Sequence, residues 1–418
     1  MATGTPHEGE LDQRRTQAVT TRLVSLRHQL GILGIVLLGL VPTVMKPSEL
    51  TSFTFVLYLM MFAISWDVVS GYTGQLSFGH AFFFALGGYG TSIITTQHGL
   101  PIYVGIVGGT LVATIGGVLL GVPALRLEGP YLSLVTLIAP LLLYQSFVLF
   151  SEGVPYIAPK EGIPYLAPKG LGGTSGLVAP PPEIIDIGSG ALIQVDQFWV
   201  SALGKYYVSF LALLVVLGST YAFTRSSAGN VLTAIREDEA AVRSVGLNPA
   251  KFKIFAFVFS AAVGGFAAAV WMHAGPSAFP NTEAVFGPGR IDKSINVIII
   301  AIIGGMGTIV GSVVGALFFG FADTVIGGLD VAIPGVELLF GSELTIADTS
   351  PLPTFLLGMI VLVFLPRGVV PEATEFGRRV LAWRRGEEPP PGGGRSPVES
   401  TLAKYRREIE DILGRDGE

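Results

Sequence analysis

The chain contains no cysteine, which excludes disulfides, thiolate metal sites and cysteine nucleophiles. Charge is scarce as well. Asp, Glu, Lys and Arg make up 14% of its 418 residues, against roughly 25% in an average soluble domain. No G-x-x-x-x-G-K-[ST] loop occurs, so ATP hydrolysis by that phosphate cradle is excluded. No His/Asp/Glu group has metal-ligand spacing, and no G-x-S-x-G elbow is present. Nothing suggests an enzyme or a cofactor held by this chain. The formal net charge of −5 comes largely from loops and says little about partners.

What is present is apolar sequence and glycine. Half of the residues are hydrophobic and the mean hydropathy is +0.61. The 55 glycines are about twice the usual share near 7%. In lipid there is little hydrophobic drive between helices, so small residues that let backbones approach do the packing. The expected fold class is an all-α polytopic membrane protein. Arg14, Arg15, Arg22 and Arg27 precede the first apolar run, which has no small-residue cleavage site after it. That run is read as a retained span and not a signal peptide.

Candidate spans lie at about 30–45, 51–70, 78–96, 101–122, 130–150, 204–223, 254–273, 294–304, 308–327 and 352–367. Most reach the roughly 20 residues that a bilayer core requires. The run 294–304 is short, and Gly304-Gly305-Met306-Gly307 marks a turn after it. Charge bias orients the set. The 225–253 loop holds five Lys/Arg, and Arg367, Arg378, Arg379, Arg384 and Arg385 follow the last span. The 328–351 loop has no Lys or Arg but carries Asp330, Glu337, Glu343 and Asp348. Basic loops stay inside, and both termini and the 225–253 loop fall inside only if all ten segments cross. The resulting organisation is a cytoplasmic tail over 1–29, a transmembrane domain over 30–370 and a cytoplasmic tail over 371–418. The 151–203 loop is then outside.

That outer loop contains a tandem near-repeat, EGVPYIAPK then EGIPYLAPK (152–169). It reads either as a stiff proline-rich arm or as part of a docking face. In the tail, Ser396-Pro397-Val398-Glu399 fits a capping box with proline at the first helical position. Leu402, Tyr405, Ile409 and Leu413 then form an apolar stripe.

Arg225–Lys253 is a 29-residue charged break between spans, and its middle reads as an amphipathic helix. Val231, Ala234, Ile235, Val242 and Val245 fall at helical spacing, Asn230 is the expected N-cap, and Gly246 before Asn248-Pro249 is the stop. A solvated basic connector would also fit.

Three further stretches carry polar chemistry. In Gly71–Gly90 the connecting loop has no charged residue, and Ser77 is placed to cap a helix from Phe78. Irregular backbone at membrane depth can line a cavity, where a helix N-terminus would favour a carboxylate; glycine-mediated packing explains the same residues. His80 is an ionisable group at a span start, or a histidine bonded to a nearby carbonyl. Asp67, one turn before Gly71, reads mainly as a charge reaching the interface. Arg126 and Glu128 occupy a short inside turn, and Thr136 can bond its own backbone or a neighbouring helix. The glycines of Ile302–Gly311 either expose backbone to a pore or pack closely.

Taken together, GYTGQLSFGHAFFFALGGYG (71–90), RLEGPYLSLVTL (126–137), GGTSGL (172–177), the 228–270 segment, IIGGMGTIVGSVVGA (302–316) and FLPRGVV (364–370) resemble one family. It is the permease subunit of branched-chain amino acid ABC importers, of the LivM type. The resemblance covers about 51–370, and it departs in the proline repeat, in the extra tail helix and in Asp67, where asparagine is expected.

The resemblance implies a type II-like importer half in the plasma membrane. Its partners would be a second related permease, two ATP-binding subunits and an extracytoplasmic binding protein delivering leucine, isoleucine or valine; no nucleic acid is implied. ATP would be bound by the partner subunits. Substrate-path candidates are Gly71, Gly74, Gln75, Ser77, His80, Gly88, Tyr89, Thr136, Gly304 and Gly305. ATPase-coupling candidates are Ala234, Arg236, Glu237, Asp238, Glu239, Arg243 and Gly246. The alternatives are the same architecture importing urea, short amides or other amino acids, and an ion-coupled secondary transporter.

Overall fold

A computed structural model describes residues 26–124, 131–149, 197–275, 285–287, 292–327, 352–365 and 367–385. The turn with Arg126 and Glu128, the 152–169 repeat, the 172–177 segment, the 328–351 loop and the tail helix expected from Ser396 lie outside these residues.

The chain divides at Lys46. The first unit holds α1 (Leu26–Leu40) followed by a 3-10 turn (Val41–Thr43). The second unit begins with α2 (Pro47–Thr73) and continues through α3 (His80–Ser92, extended by a π turn at Ile93–Gln97), α4 (Ile102–Ala124) and α5 (Tyr131–Leu149). It goes on with α6 (Gln197–Thr224), α7 (Ser227–Glu237), α8 (Glu239–Ser244) and α9 (Pro249–Ala274). It ends with α10 (Asp292–Gly304), α11 (Ile309–Gly327), α12 (Leu352–Phe364) and α13 (Val369–Arg385). Every one of the ten expected apolar segments contains a helix.

Helix α2 is apolar on all sides and is buried accordingly: Leu57, Met60, Met61 and Trp66 are fully inaccessible. It packs against α6, α9, α10 and α11. Helices α4 and α5 instead turn Leu111, Ile115, Leu119, Leu134, Ile138 and Leu142 outward, which suits a hydrocarbon surrounding. Between them Phe83, Ala124, Leu132, Phe257 and Ala261 form a core with Val69 of α2.

Small residues set the closest approach. A Cβ on Gly87 of α3 would lie 2.6 Å from Gly265 Cα of α9, so those backbones meet only because neither position has a side chain.

Among the described residues, seven stretches are long and apolar enough to cross a membrane: α2, α4, α5, most of α6, α9, α11 and Phe355–Gly377. The last of these is broken by the left-handed Gly368 (φ 89°) between α12 and α13. Helices α3 and α10 have 13 residues each, below the roughly 20 that span a bilayer core. In α3 the shortness has a visible cause. Residues 74–79 are not helical, and the Trp66 indole donates to Ser77 O at 2.7 Å. The chain therefore doubles back along α2 for about two turns, roughly 10 Å, before α3 begins.

Candidate functional site

The charged loop folds as two short helices. Ser226, not Asn230, caps α7: its Oγ accepts from Gly229 N at 3.3 Å and donates to Phe223 O at 2.6 Å. Asn230 lies inside the first turn and is exposed. The expected single helix is broken at Asp238, whose extended backbone (φ −156°, ψ 101°) ends α7. Its Oδ1 then accepts from Ala241 N at 3.0 Å and starts α8. Aspartate is a weak helix former and a good N-cap, but in the run Glu237-Asp238-Glu239 that signal is flanked by glutamates, which favour helix.

The apolar face differs from the expected stripe. Leu232, Ile235 and Val242 are buried against Val68 of α2, Phe223 of α6 and Ala256 of α9. Ala234 is exposed and Val245 is 74% exposed. The apolar side of α7–α8 therefore packs on the ends of its own spans. Facing away are Asn230, Ala234, Glu237, Ala240 and Ala241.

Glu239 ties the element down. It accepts from Arg243 Nη2 at 2.6 Å and from Lys253 Nζ at 3.0 Å. Burial acts to raise its pKa, but Arg243 and Lys253 outweigh burial and hold the carboxyl below its ordinary range. Gly246 takes a left-handed φ of 83°. Asn248 Oδ1 then accepts from Ala250 N at 3.1 Å with Pro249 in the first turn of α9, as the stop signal requires.

Arg236 points elsewhere. Its Nη1 donates to Gly71 O in the last turn of α2, at 2.5 Å. Gly74 is left-handed (φ 74°), and a Cβ there would lie 3.3 Å from Arg236 Cγ. On the other side of Gly71 lies the α10–α11 turn, whose Gly307 N donates to Asp67 Oδ1 at 2.7 Å. Asp67 is 1% exposed, so it does not reach an interface as expected. The preceding glycines pack closely: Gly304 abuts Gly311 and Gly315, and Gly305 abuts Pro371 and the Arg367 carbonyl.

A second cluster surrounds the start of α3. That helix begins at His80 rather than Phe78, with Gly79 as its N-cap residue. Phe78 N donates to Thr136 Oγ1 (3.1 Å), Gly79 N to Ser77 Oγ (3.3 Å) and Ala81 N to Ser294 Oγ (2.9 Å). Thr136 also donates to Leu132 O at 2.9 Å. The amides expected to attract a carboxylate are thus engaged by hydroxyls. His80 Nε2 lies 2.9 Å from Ser260 Oγ, which donates to Ser65 O at 2.6 Å. That donation assigns the imidazole proton to Nε2, and Nδ1 is buried without a partner.

Gln75 is half-buried. Further along α3, Gly88 faces Met272, and the buried Tyr89 packs on Phe147 with ring centroids 4.1 Å apart. The structure thus joins Gly71, Gly74 and Arg236 in one node and Ser77, His80 and Thr136 in another; Gly88 and Tyr89 stand apart from both.

The partners Ser65, Ser260 and Ser294 escaped sequence reasoning, because single serines in apolar runs carry no motif. Lys293 and Asp323, charges within α10 and α11, escaped it too. The Lys293 ammonium lies 5.7 Å from the Phe55 ring centroid and is close to Asp323 and Asp292. Among the described residues, no group of three His, Cys, Asp or Glu could hold a metal ion.

Residues 49–365 match the family model described as branched-chain amino acid transport system / permease component. Two curated relatives are each 29% identical over 273 residues, covering 61% of this chain and 58% of their own length. Both are the high-affinity branched-chain amino acid transport system permease protein LivM, one from Salmonella typhimurium and one from Escherichia coli. The chain thus spans a little under three-fifths of the relatives it matches. No solved structure matches. With the family model covering most of the chain and the helices apolar as that family requires, the chain belongs to the branched-chain amino acid transport permease family and is a multi-pass membrane protein.

Proposed function

We propose that this chain is the permease subunit of an ATP-binding cassette importer that carries leucine, isoleucine or valine across the plasma membrane. Separate ATPase subunits drive alternating access, and a second permease completes the path. Ten crossings place both termini and α7–α8 on the cytoplasmic side, following the charge bias.

One observation supports the coupling role above the others. The α7–α8 element is capped at both starts by Ser226 and Asp238, and its apolar side is buried on α2, α6 and α9. A polar connector would not need such anchoring. An element fixed to three helix ends can pass a push from a motor into the bundle, and Glu237, Ala234 and Ala241 on its exposed side are the surface that a motor can touch.

Co-expression of the chain with its genomic neighbours tests this reading. The expected result is co-purification with two ATPases and a second permease, with ATP turnover and leucine uptake raised by a leucine-loaded binding protein. Uptake by the lone chain in proteoliposomes under an ion gradient would overturn it. The buried Asp67 and the partly buried Lys293 and Asp323 are the observation that favours that ion-coupled reading. Uptake of urea, short amides or other amino acids in place of leucine would keep the architecture and change the cargo.

A further inference from the structure

We propose that Arg236, itself exposed, and the buried Asp67 form an intramolecular clasp through Gly71 and Gly307, making Arg236 a positioning residue of the permease and not a motor contact. This rests on the reading of α7–α8 as the coupling element. It assigns the step after docking: how a displacement of α7 reaches the two helix breaks at once.

The geometry is over-determined. Arg236 and Gly71 are 165 residues apart, and Asp67 and Gly307 are 240 apart, yet all four meet at one point. A Cβ on Gly71 would lie 2.5 Å from Gly307 N and closer still to Asp67 Oδ1. One on Gly307 would collide with Arg236 Nη1 and lie 3.1 Å from Gly71 O. Any side chain at either glycine therefore parts α2 from the α10–α11 turn or expels the guanidinium.

Electrostatics fixes the same arrangement. The C-terminal carbonyls of α2 lack intrahelical partners and carry the negative end of its dipole, and the Arg236 guanidinium satisfies one of them. Asp67 Oδ1 takes the Gly307 amide, but Oδ2 has no hydrogen-bond partner. A buried carboxylate in that position is costly unless a counter-charge is near. Arg236 is the cation that bears on it, with the Gly307 and Thr308 amides as the local dipoles. Removing Arg236 leaves the buried Asp67 carboxylate without its counter-charge, whereas removing Asp67 leaves the exposed guanidinium hydrated but no longer drawn toward the α10–α11 turn.

The consequence is mechanical. Gly71 and Gly74 open the stretch that doubles back into α3, and Gly307 opens α11. Gly305 rests on Gly368 at the start of α13. Movement of α7 along its axis drags Arg236, and with it both half-helix entrances together.

The test uses the full complex in proteoliposomes, carrying Arg236→Ala, Arg236→Lys, Asp67→Ala, Asp67→Asn or the alanine pair. Leucine uptake, ATP turnover and ATPase co-purification are measured for each. For Arg236→Ala we expect unchanged ATPase co-purification and a loss of about tenfold in leucine carried per ATP. Lysine restores part of that loss, because it keeps one donor and the charge. Asparagine at 67 keeps the Gly307 bond and falls between wild type and Asp67→Ala. The alanine pair is no worse than either single variant, as for two parts of one unit.

Loss of ATPase from Arg236→Ala places Arg236 in the docking face and overturns the clasp, as do wild-type uptake per ATP or additive losses in the pair. Should alanine variants fail to insert, the labelling rate of a Met306→Cys variant, unique in this cysteine-free chain, gives the answer. It should change several-fold on ATP binding, and no longer change when Arg236→Lys or Asp67→Asn is added; an unaltered response sinks the proposal. A wild-type complex that neither binds ATPases nor transports would instead defeat the coupling reading itself.

Discussion

Lys253 and Glu239 meet across the α8–α9 corner at 3.0 Å, with the lysine side chain only 7% exposed. An ammonium so enclosed needs its carboxylate. Glu239→Gln leaves a buried charge facing a neutral amide, at a cost on the order of 1–3 kcal/mol. The effect should appear as faster amide hydrogen exchange through α8, with α9 unchanged; equal exchange in both proteins would refute it.

The same pair predicts a pH dependence. Arg243 and Lys253 hold the Glu239 pKa below its ordinary value. A lowered folded-state pKa means that the contribution is complete above the ordinary carboxylate range. It is lost as pH falls through the depressed value. The difference between wild type and Glu239→Gln should therefore be full at neutral pH and vanish in strong acid, as read by α8 exchange rates across a pH series.

Glu237 provides the contrast. It is exposed, two residues from a glutamate that holds the corner together. Glu237→Lys should leave thermal stability within about 0.5 kcal/mol of wild type and still reduce ATPase co-purification and uptake. Unchanged uptake would remove Glu237 from the docking surface.

Gly87 and Gly218 test packing against propensity. A Cβ at Gly87 invades the Gly265 backbone, whereas one at Gly218 in α6 meets nothing within 4 Å. Gly87→Ala should cost about 1–3 kcal/mol by overpacking. Gly218→Ala should be neutral or gain up to about 1 kcal/mol from helix propensity. Melting of the detergent-solubilised protein separates the two.

Ser260 joins α9 to both α2 and α3. Ser260→Ala strips His80 Nε2 of its partner and removes the second donor to Ser65 O, which keeps its helical bond, leaving a buried imidazole nitrogen unmet. A loss of about 1–3 kcal/mol follows. Ser260→Thr, which keeps the hydroxyl, should recover part of it; a melting temperature equal to wild type for the alanine variant would count against the network.

Much of this architecture was legible beforehand because hydropathy marks what lipid tolerates. The apolar run 51–70 is the core of α2, and 254–273 sits inside α9. Gly246 with Asn248-Pro249 stops the charged element as read, because such signals are local, and the structure adds that Asn248 caps α9. What failed was non-local. The exception is the start of α7, where Ser226 and Asn230 are equally good cap types and only the local bonds of Ser226 to Phe223 O and Gly229 N decide between them. The break at Asp238 uses that residue's own side chain as the cap of α8, which a run of three acids does not single out. Asp67 read as an interface charge because its partner, Gly307, lies 240 residues away. For the same reason Ser294, which meets Ala81 N from 213 residues away, was invisible, whereas Ser77 and Thr136 were legible as a cap and as a hydroxyl able to bond a neighbouring helix.

Those hydroxyls impose an order on biogenesis. Phe78 N is met by Thr136, 58 residues later, and Ala81 N by Ser294, 213 residues later. At ~5–20 residues per second of synthesis, the first amide waits roughly 3–12 s and the second roughly 10–40 s. Through that interval the start of α3 must stay hydrated or sheltered by the insertion machinery. The third helix to be made is therefore among the last to be finished.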